Sequence, residues 1–241
     1  MKRLLLAGAL AGLTTAGYAA PLVDVYAGVN IWHQKPTGDF SRHKENSVDL
    51  KSDLGFSSDT RAVVYGGIEH FIPGLPNARL RYMGMSDSSN GTLSSPTNFG
   101  GQAISGDVRG SYNLDMTDLT LYYSPLKTIL QVDVGLTIRH VDTQLKLNDA
   151  KESADKVAPL IHVGLSGDLP FSGFYAGGEI NGISYSGNRF YDTTFKAGWR
   201  SPYLVGVEVG YTQVKLKLDN VSKLDADIEF KGPFVGVTAK F

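Results

Sequence analysis

The feature that most constrains this chain is a period-two alternation of apolar with polar or small residues, which continues to the last residue. Within residues 226–241, one parity ends in an apolar series made up of Val235, Val237, Ala239 and Phe241. The other parity is small or polar with one aromatic, and is made up of Phe234, Gly236, Thr238 and Lys240. Successive side chains of a β-strand point to opposite faces. The alternation therefore predicts a terminal strand with one face in an apolar environment.

The same alternation recurs along the chain, interrupted by two kinds of connection. It is clearest where Leu130, Val132, Val134, Leu136 and Ile138 alternate with Gln131, Asp133, Gly135 and Thr137. Short proline-bearing turns alternate with longer polar stretches, which we interpret as external loops at residues 35–60, 87–102 and 148–156. This alternation of short turns and long loops is typical of transmembrane barrels. We predict an all-β fold, a closed antiparallel transmembrane β-barrel of ten strands, with eight strands and an extended external hairpin as the alternative.

The apolar parity changes within the fourth predicted strand. Val108 belongs to the apolar parity of its first half, whereas Leu119 has the opposite parity in its second half. Because a one-residue slip moves side chains to the other face, we predict a β-bulge near Leu114 or Asp115. The first predicted loop, residues 35–60, also carries apolar side chains. The sequence leaves open whether that loop packs on the surface or narrows the lumen.

The N-terminus has the composition of a secretory signal peptide. Lys2 and Arg3 precede an apolar core of about ten residues, which is too short for a membrane-spanning helix of about twenty. Small residues at Gly17 and Ala19 suit a signal peptidase. We predict a cleaved signal peptide over residues 1–19, a single barrel domain over residues 20–241, and a location in the bacterial outer membrane. The chain has no Cys and a formal net charge of −1, so it offers no basic patch for nucleic acid.

Charged residues of the predicted strands gather on one face. An Arg or Lys facing lipid near the bilayer midplane costs about 2–4 kcal/mol, so these side chains are expected inside the barrel. The predicted lumen-facing set is Glu69, Arg79, Arg81, Asp118, Asp133, Arg139, Glu179, Lys196, Arg200 and Glu208. Opposite charges there either neutralise one another in a filled interior or line a wet passage for small solutes. Barrels of eight to ten strands have little interior space, which argues against a wide pore.

Several short motifs resemble a family of small Gram-negative outer-membrane barrels. They are Val48-Asp49-Leu50 with Asp53-Leu54-Gly55, Glu69-His70 followed by Pro73 and Leu75-Pro76-Asn77, Leu119-Thr120-Leu121-Tyr122-Tyr123, and the terminal Phe241. The last strand is similar to the assembly signal of such barrels, formed here by Phe234, Val235, Val237, Ala239 and Phe241. The resemblance implies outer-membrane lipids and the barrel assembly machinery as partners, and it implies no activity.

No spacing in the sequence matches a nucleophile elbow, a metal-binding histidine pair or a nucleotide-binding loop. We therefore expect a protein that is not an enzyme and has neither metal nor cofactor. The predicted function is a narrow, porin-like channel or transporter for small solutes or apolar molecules, with the solute unidentified. The alternatives are a structural or surface-binding barrel without transport and a membrane-embedded lipid-modifying enzyme.

Overall fold

The computed structural model describes residues 23–42, 45–221 and 224–241 of the 241-residue chain. The predicted signal peptide lies outside the described residues. Within the described ranges, no helix has the length and apolarity that crossing a membrane would need.

The described chain forms one closed antiparallel sheet. Each long strand pairs with the next, and the last pairs with the first, so that Val29 lies opposite Val237. The strands are β1 (Val23–Arg42), β2 (Val48–Asp49), β3 (Asp59–His70), β4 (Asn77–Phe99), β5 (Gln102–Lys127), β6 (Leu130–Leu147), β7 (Ala150–Asp168), β8 (Phe174–Tyr185), β9 (Asn188–Arg200), β10 (Val205–Val221) and β11 (Leu224–Lys240). Because β2 is a two-residue strand beside β1, ten long strands form the wall, and the predicted ten-stranded barrel is confirmed.

An apolar belt surrounds the outer face of the barrel. Val29, Leu136, Val209 and Val237 point outward, and each is at least 43% exposed. Between such residues, side chains such as Thr137 point inward and are buried. In lipid every backbone N–H and C=O must be paired within the protein, and only a closed sheet has no free edge. The belt is therefore suited to contact lipid, and we call the end with the termini and short turns the periplasmic end.

The strands continue beyond the belt at the other end, which we call the outer end. The predicted loops at residues 87–102 and 148–156 are wrong, because most of these residues belong to β4, β5 and β7. The first loop is also shorter than residues 35–60, since β1 extends to Arg42 and β3 begins at Asp59. Residues 87–102 are rich in Ser, Thr, Asn and Gly, and residues 150–156 are charged or small, which suits strands whose outer face is in water.

The predicted bulge near Leu114 or Asp115 is also wrong. Pairing of β5 with β4 and with β6 passes these residues without a register shift. The apolar parity changes because the surroundings change along the strand. Val108 points into the interior of the outer extension and is buried, whereas Leu119 points out of the belt and is 44% exposed. The apolar side chains of this one continuous strand therefore point inward where water surrounds the barrel and outward where the membrane surrounds it.

The segment between β1 and β3 folds into the outer end of the barrel, so this loop narrows the lumen. Its short strand β2 pairs with β1. Leu50, Leu54 and Phe56 are each at most 3% exposed. The ring of Phe56 meets that of Tyr112 on β5 edge to face, with centroids 5.0 Å apart. We call residues 48–56 the plug.

Two aspartates hold the turn of the plug. A carboxylate oxygen of Asp49 accepts hydrogen bonds from the backbone N–H groups of Lys51 (2.8 Å) and Ser52 (2.7 Å). Asp53 accepts from the Asp49 N–H and from the Ser94 hydroxyl of β4, both at 2.9 Å. Burial alone would raise the pKa of Asp49, but the donors of Ser52 and Lys51 outweigh it and hold that pKa below its ordinary value.

Asp49→Ala is expected to loosen the plug at neutral pH and to have no effect in acid. A carboxylate whose pKa is lower in the folded state stabilises the fold above its unfolded pKa, and this contribution is lost as the pH falls through the folded pKa. The melting temperatures of wild type and D49A should therefore differ most near pH 7 and converge as the pH falls through the lowered pKa of Asp49 in the folded state. Protease cleavage within residues 48–56 should follow the same trend. Asp149→Ala, at an exposed residue of the β6–β7 turn, is the control. A pH-independent difference would show that the charge of Asp49 does not hold the turn.

Candidate functional site: the barrel interior

Two arginines and two aspartates form a buried ionic layer across the interior. Arg81 of β4 donates to Asp118 of β5 at 2.7 Å and to Asp192 of β9 at 3.0 Å. Arg139 of β6 donates to Asp118 at 2.7 Å and forms an ion pair with Asp192. None of these four residues is more than 7% exposed. We call them the charge layer, and its formal charges sum to zero.

The charge layer spans the full width of the barrel. In the closed wall of ten long strands, β9 is the fifth strand from β4 in either direction, so the two strands lie opposite each other. The ion pair of Arg81 with Asp192 therefore joins opposite walls. Buried charges in such a layer are tolerated only when each is paired and hydrogen-bonded. At this level the two arginines and two aspartates are joined to one another across the interior.

Neutral polar side chains complete the layer on the β6–β8 side. Asn181 of β8 donates to Asp192 at 3.1 Å and accepts from the hydroxyl of Thr137 at 2.8 Å. Nδ1 of His162 lies 2.8 Å from the same Asn181 oxygen. These groups fix the Asp192 carboxylate between the two arginines. The interior at this level is a connected hydrogen-bonded network, as buried polar groups require.

An apolar core closes the outer end above the charge layer. It combines inward side chains of the outer extension with the plug, and we call it the outer apolar core. Its buried members are Trp32, Phe40, Val48, Leu50, Leu54, Phe56, Met83, Met85, Leu93, Phe99, Ile104, Val108, Tyr112, Met116, Leu147, Ala150, Val214, Ala226, Phe230 and Phe234. Buried hydrophobic side chains that pack closely against one another exclude water. The lumen is therefore closed twice, by apolar packing and by ion pairs.

Below the charge layer, the interior widens into a cavity of about 270 Å³. Lys127, Asp168, Arg200 and Lys240 line it at the periplasmic ends of their strands. Arg81 borders it at the inner end. We call this space the periplasmic cavity. It opens towards the periplasmic end and ends at Arg81 of the charge layer and at Trp32, Met83 and Phe234 of the outer apolar core.

Charges in the periplasmic cavity are matched by partners on other strands. Glu208 of β10 accepts from the hydroxyls of Tyr65 and Tyr175, both at 2.8 Å, and lies 3.2 Å from Lys196. Glu69 of β3 lies 2.9 Å from the ammonium group of Lys127. These contacts join strands that are up to three steps apart around the wall. The arrangement favours mutual neutralisation over a charged passage.

The structure places every charged residue of the predicted lumen-facing set inside the barrel. Asp118, Arg139 and Arg81 belong to the charge layer. The remaining members line the periplasmic cavity and are Glu69, Arg79, Asp133, Glu179, Lys196, Arg200 and Glu208. Arg79 pairs with Glu179, and Arg200 pairs with Asp168 at 3.2 Å. Asp133 instead accepts hydrogen bonds from Ser124 (2.6 Å) and Gln131 (2.9 Å).

Sequence reasoning missed Asp192, the residue that both arginines of the charge layer contact. Asp192 has the same parity as Thr194 and Lys196 in β9, so extending the alternation by one step would have found it. Its partners on β4 and β6 could not be read from the alternation, because parity gives the face but not which strands lie opposite. Asn181 was missed for the same reason. Lys127 was missed because the register shift between Tyr123 and Leu126 reverses its parity relative to Asp118.

The histidines are dispersed. His70 follows Glu69 at the end of β3, and its ring nitrogens contact the Pro76 carbonyl oxygen (3.2 Å) and the Ile72 N–H (3.2 Å) in the β3–β4 turn. This residue anchors a turn, whereas Glu69 points into the periplasmic cavity. Among the described residues, no group of three or more His, Cys, Asp or Glu side chains is placed to hold a metal ion.

The predicted assembly segment forms the closing strand of the barrel. Val235 and Val237 point outward and are more than half exposed, whereas Phe234 points inward and is buried. Ala239 lies opposite Ala27 of β1, and the Phe241 N–H donates to the Val25 carbonyl at 2.7 Å. A role in assembly stays a prediction.

No protein-family model and no curated protein sequence matches the chain. Among solved structures, the barrel is similar to the outer membrane protease OmpT from Escherichia coli, with 13% identity, 95% of this chain and 99% of that chain covered, and a TM-score of 0.52. It is also similar to the translocator domain of the autotransporter NalP from Neisseria meningitidis, with 10% identity, 93% and 90% covered, and a TM-score of 0.41. At such identities the likeness to OmpT concerns the fold alone. The chain therefore has the fold of bacterial outer-membrane β-barrels.

Proposed function

We propose that this protein is an integral outer-membrane barrel without a continuous aqueous pore, whose role is structural or exerted at the cell surface by its outer extension. The observation that carries the proposal is the ion pair of Arg81 with Asp192, which joins opposite walls of the barrel. A solute in the periplasmic cavity would meet this pair and also the outer apolar core, because Trp32 and Phe234 of that core line the same cavity. The structure therefore favours the non-transporting alternative over a narrow channel.

Energetics support the same proposal. Opening a passage through the charge layer would separate Arg81 or Arg139 from buried aspartates, and breaking a buried pair costs about 3–5 kcal/mol. Passage of a polar solute would further require the outer apolar core to part and admit water. We include no enzymatic activity in the proposal, because the likeness to OmpT concerns the fold alone.

The outer extension supports a role at the surface. Its strands enclose the outer apolar core and hold the plug through side-chain contacts, so it is built like a folded domain rather than as free loops. Such a rigid scaffold suits the presentation of a fixed binding surface. The binding partner of that surface is not specified by the proposal.

The proposal predicts electrical silence. The refolded mature protein, shown to be folded by its heat-dependent gel shift, should give no discrete openings in planar bilayers, and liposomes containing it should exclude small sugars. Arg79→Glu should stay silent as well, because Arg79 lies in the periplasmic cavity below the charge layer. A conducting porin in the same bilayers is the positive control. Discrete openings of the wild-type protein would refute the proposal and restore the channel hypothesis.

A further inference from the structure

Two lysines of the outer face lie directly opposite each other where the barrel closes. Lys35 of β1 is paired in register with Lys231 of β11. Both belong to the outward parity, since their neighbours Gln34 and Phe230 are buried in the interior. Like charges at directly opposite positions destabilise a sheet. A bound anion between them would remove this penalty.

The contacts of the pair leave a positive charge unmatched. Lys231 lies 2.8 Å from Glu229, and Gln213 of β10 donates to the same carboxylate oxygen at 3.0 Å. No side-chain hydrogen bond or ion pair joins the Lys35 ammonium to another described residue. Lys231 has the Glu229 carboxylate as its partner, so the Lys35 ammonium is free for a ligand.

The pair lies just above the apolar belt. Lys35 follows the belt residue Ile31 by four positions, and Lys231 precedes Val235 by four. At about 3.3 Å per residue and a strand tilt of about 40°, this places both Cα atoms roughly 10 Å above the last belt residues. Lysine side chains that reach back towards the membrane lie at the level of the lipid headgroups.

The other side of the barrel has the opposite charge just above the belt. Asp115 of β5, Asp142 of β6 and Asp155 of β7 are paired in register, one directly opposite the next. An anionic headgroup is repelled from that row. At the same level the β1–β11 closure presents two lysines, and the carboxylates of its outer face, Glu229 and then Asp39 opposite Asp227, lie one and two outward-facing register pairs farther from the belt.

We propose that Lys35 and Lys231 bind a phosphate group of a phosphorylated lipid in the outer leaflet. A phosphate offers several oxygens at the distance that separates two opposite side chains, and lysine binds phosphate as a point charge. The lipid chains would then lie along the belt below, over Ile31 and Val235. The lipid would bridge the two strands whose pairing closes the barrel. This inference is independent of whether the lumen conducts.

The test measures binding of phosphorylated lipid A, of its dephosphorylated form and of inorganic phosphate to the refolded protein in neutral detergent. In K35Q/K231Q, binding of phosphorylated lipid A should weaken by about 30-fold, about fivefold for each charge removed. Binding of the dephosphorylated lipid should be the same in both proteins. The matched control is K146Q/K151Q, because Lys146 and Lys151 are also opposite lysines but lie near the end of the β6–β7 hairpin, farther from the belt.

The outcomes separate the sources of phosphate. Wild-type affinity in K35Q/K231Q, or an equal loss in K146Q/K151Q, would overturn the proposal. Equally tight binding of inorganic phosphate would overturn the lipid as the ligand. The variant should melt close to the wild type without lipid, because the removal of the Lys35–Lys231 repulsion offsets the loss of the surface ion pair of Lys231 with Glu229. Weaker binding by a variant that melts in this way cannot be attributed to misfolding.

Discussion

Asp192→Ala is expected to lower the free energy of unfolding by about 3–5 kcal/mol, which is the cost of leaving buried charges without a partner. Asp192 is fully buried and is contacted by Arg81, Arg139 and Asn181. Without its carboxylate, Arg139 keeps Asp118 as its carboxylate partner, and Arg81 keeps Asp118 and a longer contact with Glu179 at 3.6 Å. Urea unfolding of the refolded protein, followed by tryptophan fluorescence, measures the change.

Two further variants separate charge from packing. Asp168→Ala removes an ion pair with Arg200 whose side chains are 56% and 41% exposed, so its effect should stay within about 1 kcal/mol. The double variant R139M/D192L removes one charge of each sign and fills the space, so it should recover most of the stability that D192A loses. If D192A unfolds within 1 kcal/mol of the wild type, the charge layer does not contribute to stability as argued here.

The sequence predicts the part of the barrel that faces lipid and fails above it. Leu130 to Ile138 alternate because one face of β6 meets lipid and the other meets a polar interior. Above the belt, water surrounds the wall and apolar side chains such as Leu93 and Val108 turn inward. A rule that assigns apolar residues to the outer face therefore predicts loops, or a bulge, where the strands continue above the belt. The physical cause is the change of solvent along one strand.

The sequence predicts which face of the sheet carries the residues of the candidate site, but it does not predict which residues contact one another there. Parity placed Arg81 and Arg139 among the lumen-facing residues, because a charge in lipid is costly. Which carboxylate each one meets depends on the order and stagger of strands around the closed wall, and the alternation contains neither. The plug carried a stronger signal, since Leu50, Leu54 and Phe56 are apolar side chains in a polar segment. Their destination required the three-dimensional fold.

The two closures of the lumen act in series, so removing either one alone should leave the barrel silent. The first variant replaces residues 48–56 by a Gly-Ser linker and removes the plug, including Leu54 and Phe56, which are at most 2% exposed. A stability loss of several kcal/mol is expected, because truncation of one such buried side chain costs about 2–5 kcal/mol. The second variant, R81A/D192A, removes the ion pair that crosses the lumen.

Only the combination of the linker and R81A/D192A is expected to give discrete openings in planar bilayers, because only then can a continuous path of water form through the barrel. Each protein must first show the heat-dependent gel shift of a closed barrel, so that silence is not mistaken for misfolding. Openings from the linker variant alone would mean that the charge layer does not seal the lumen. Openings from R81A/D192A alone would mean that the outer apolar core is permeable. Silence of the folded combination would require a further barrier among the inward side chains that remain, such as Trp32 and Phe234 of the outer apolar core, which also border the periplasmic cavity.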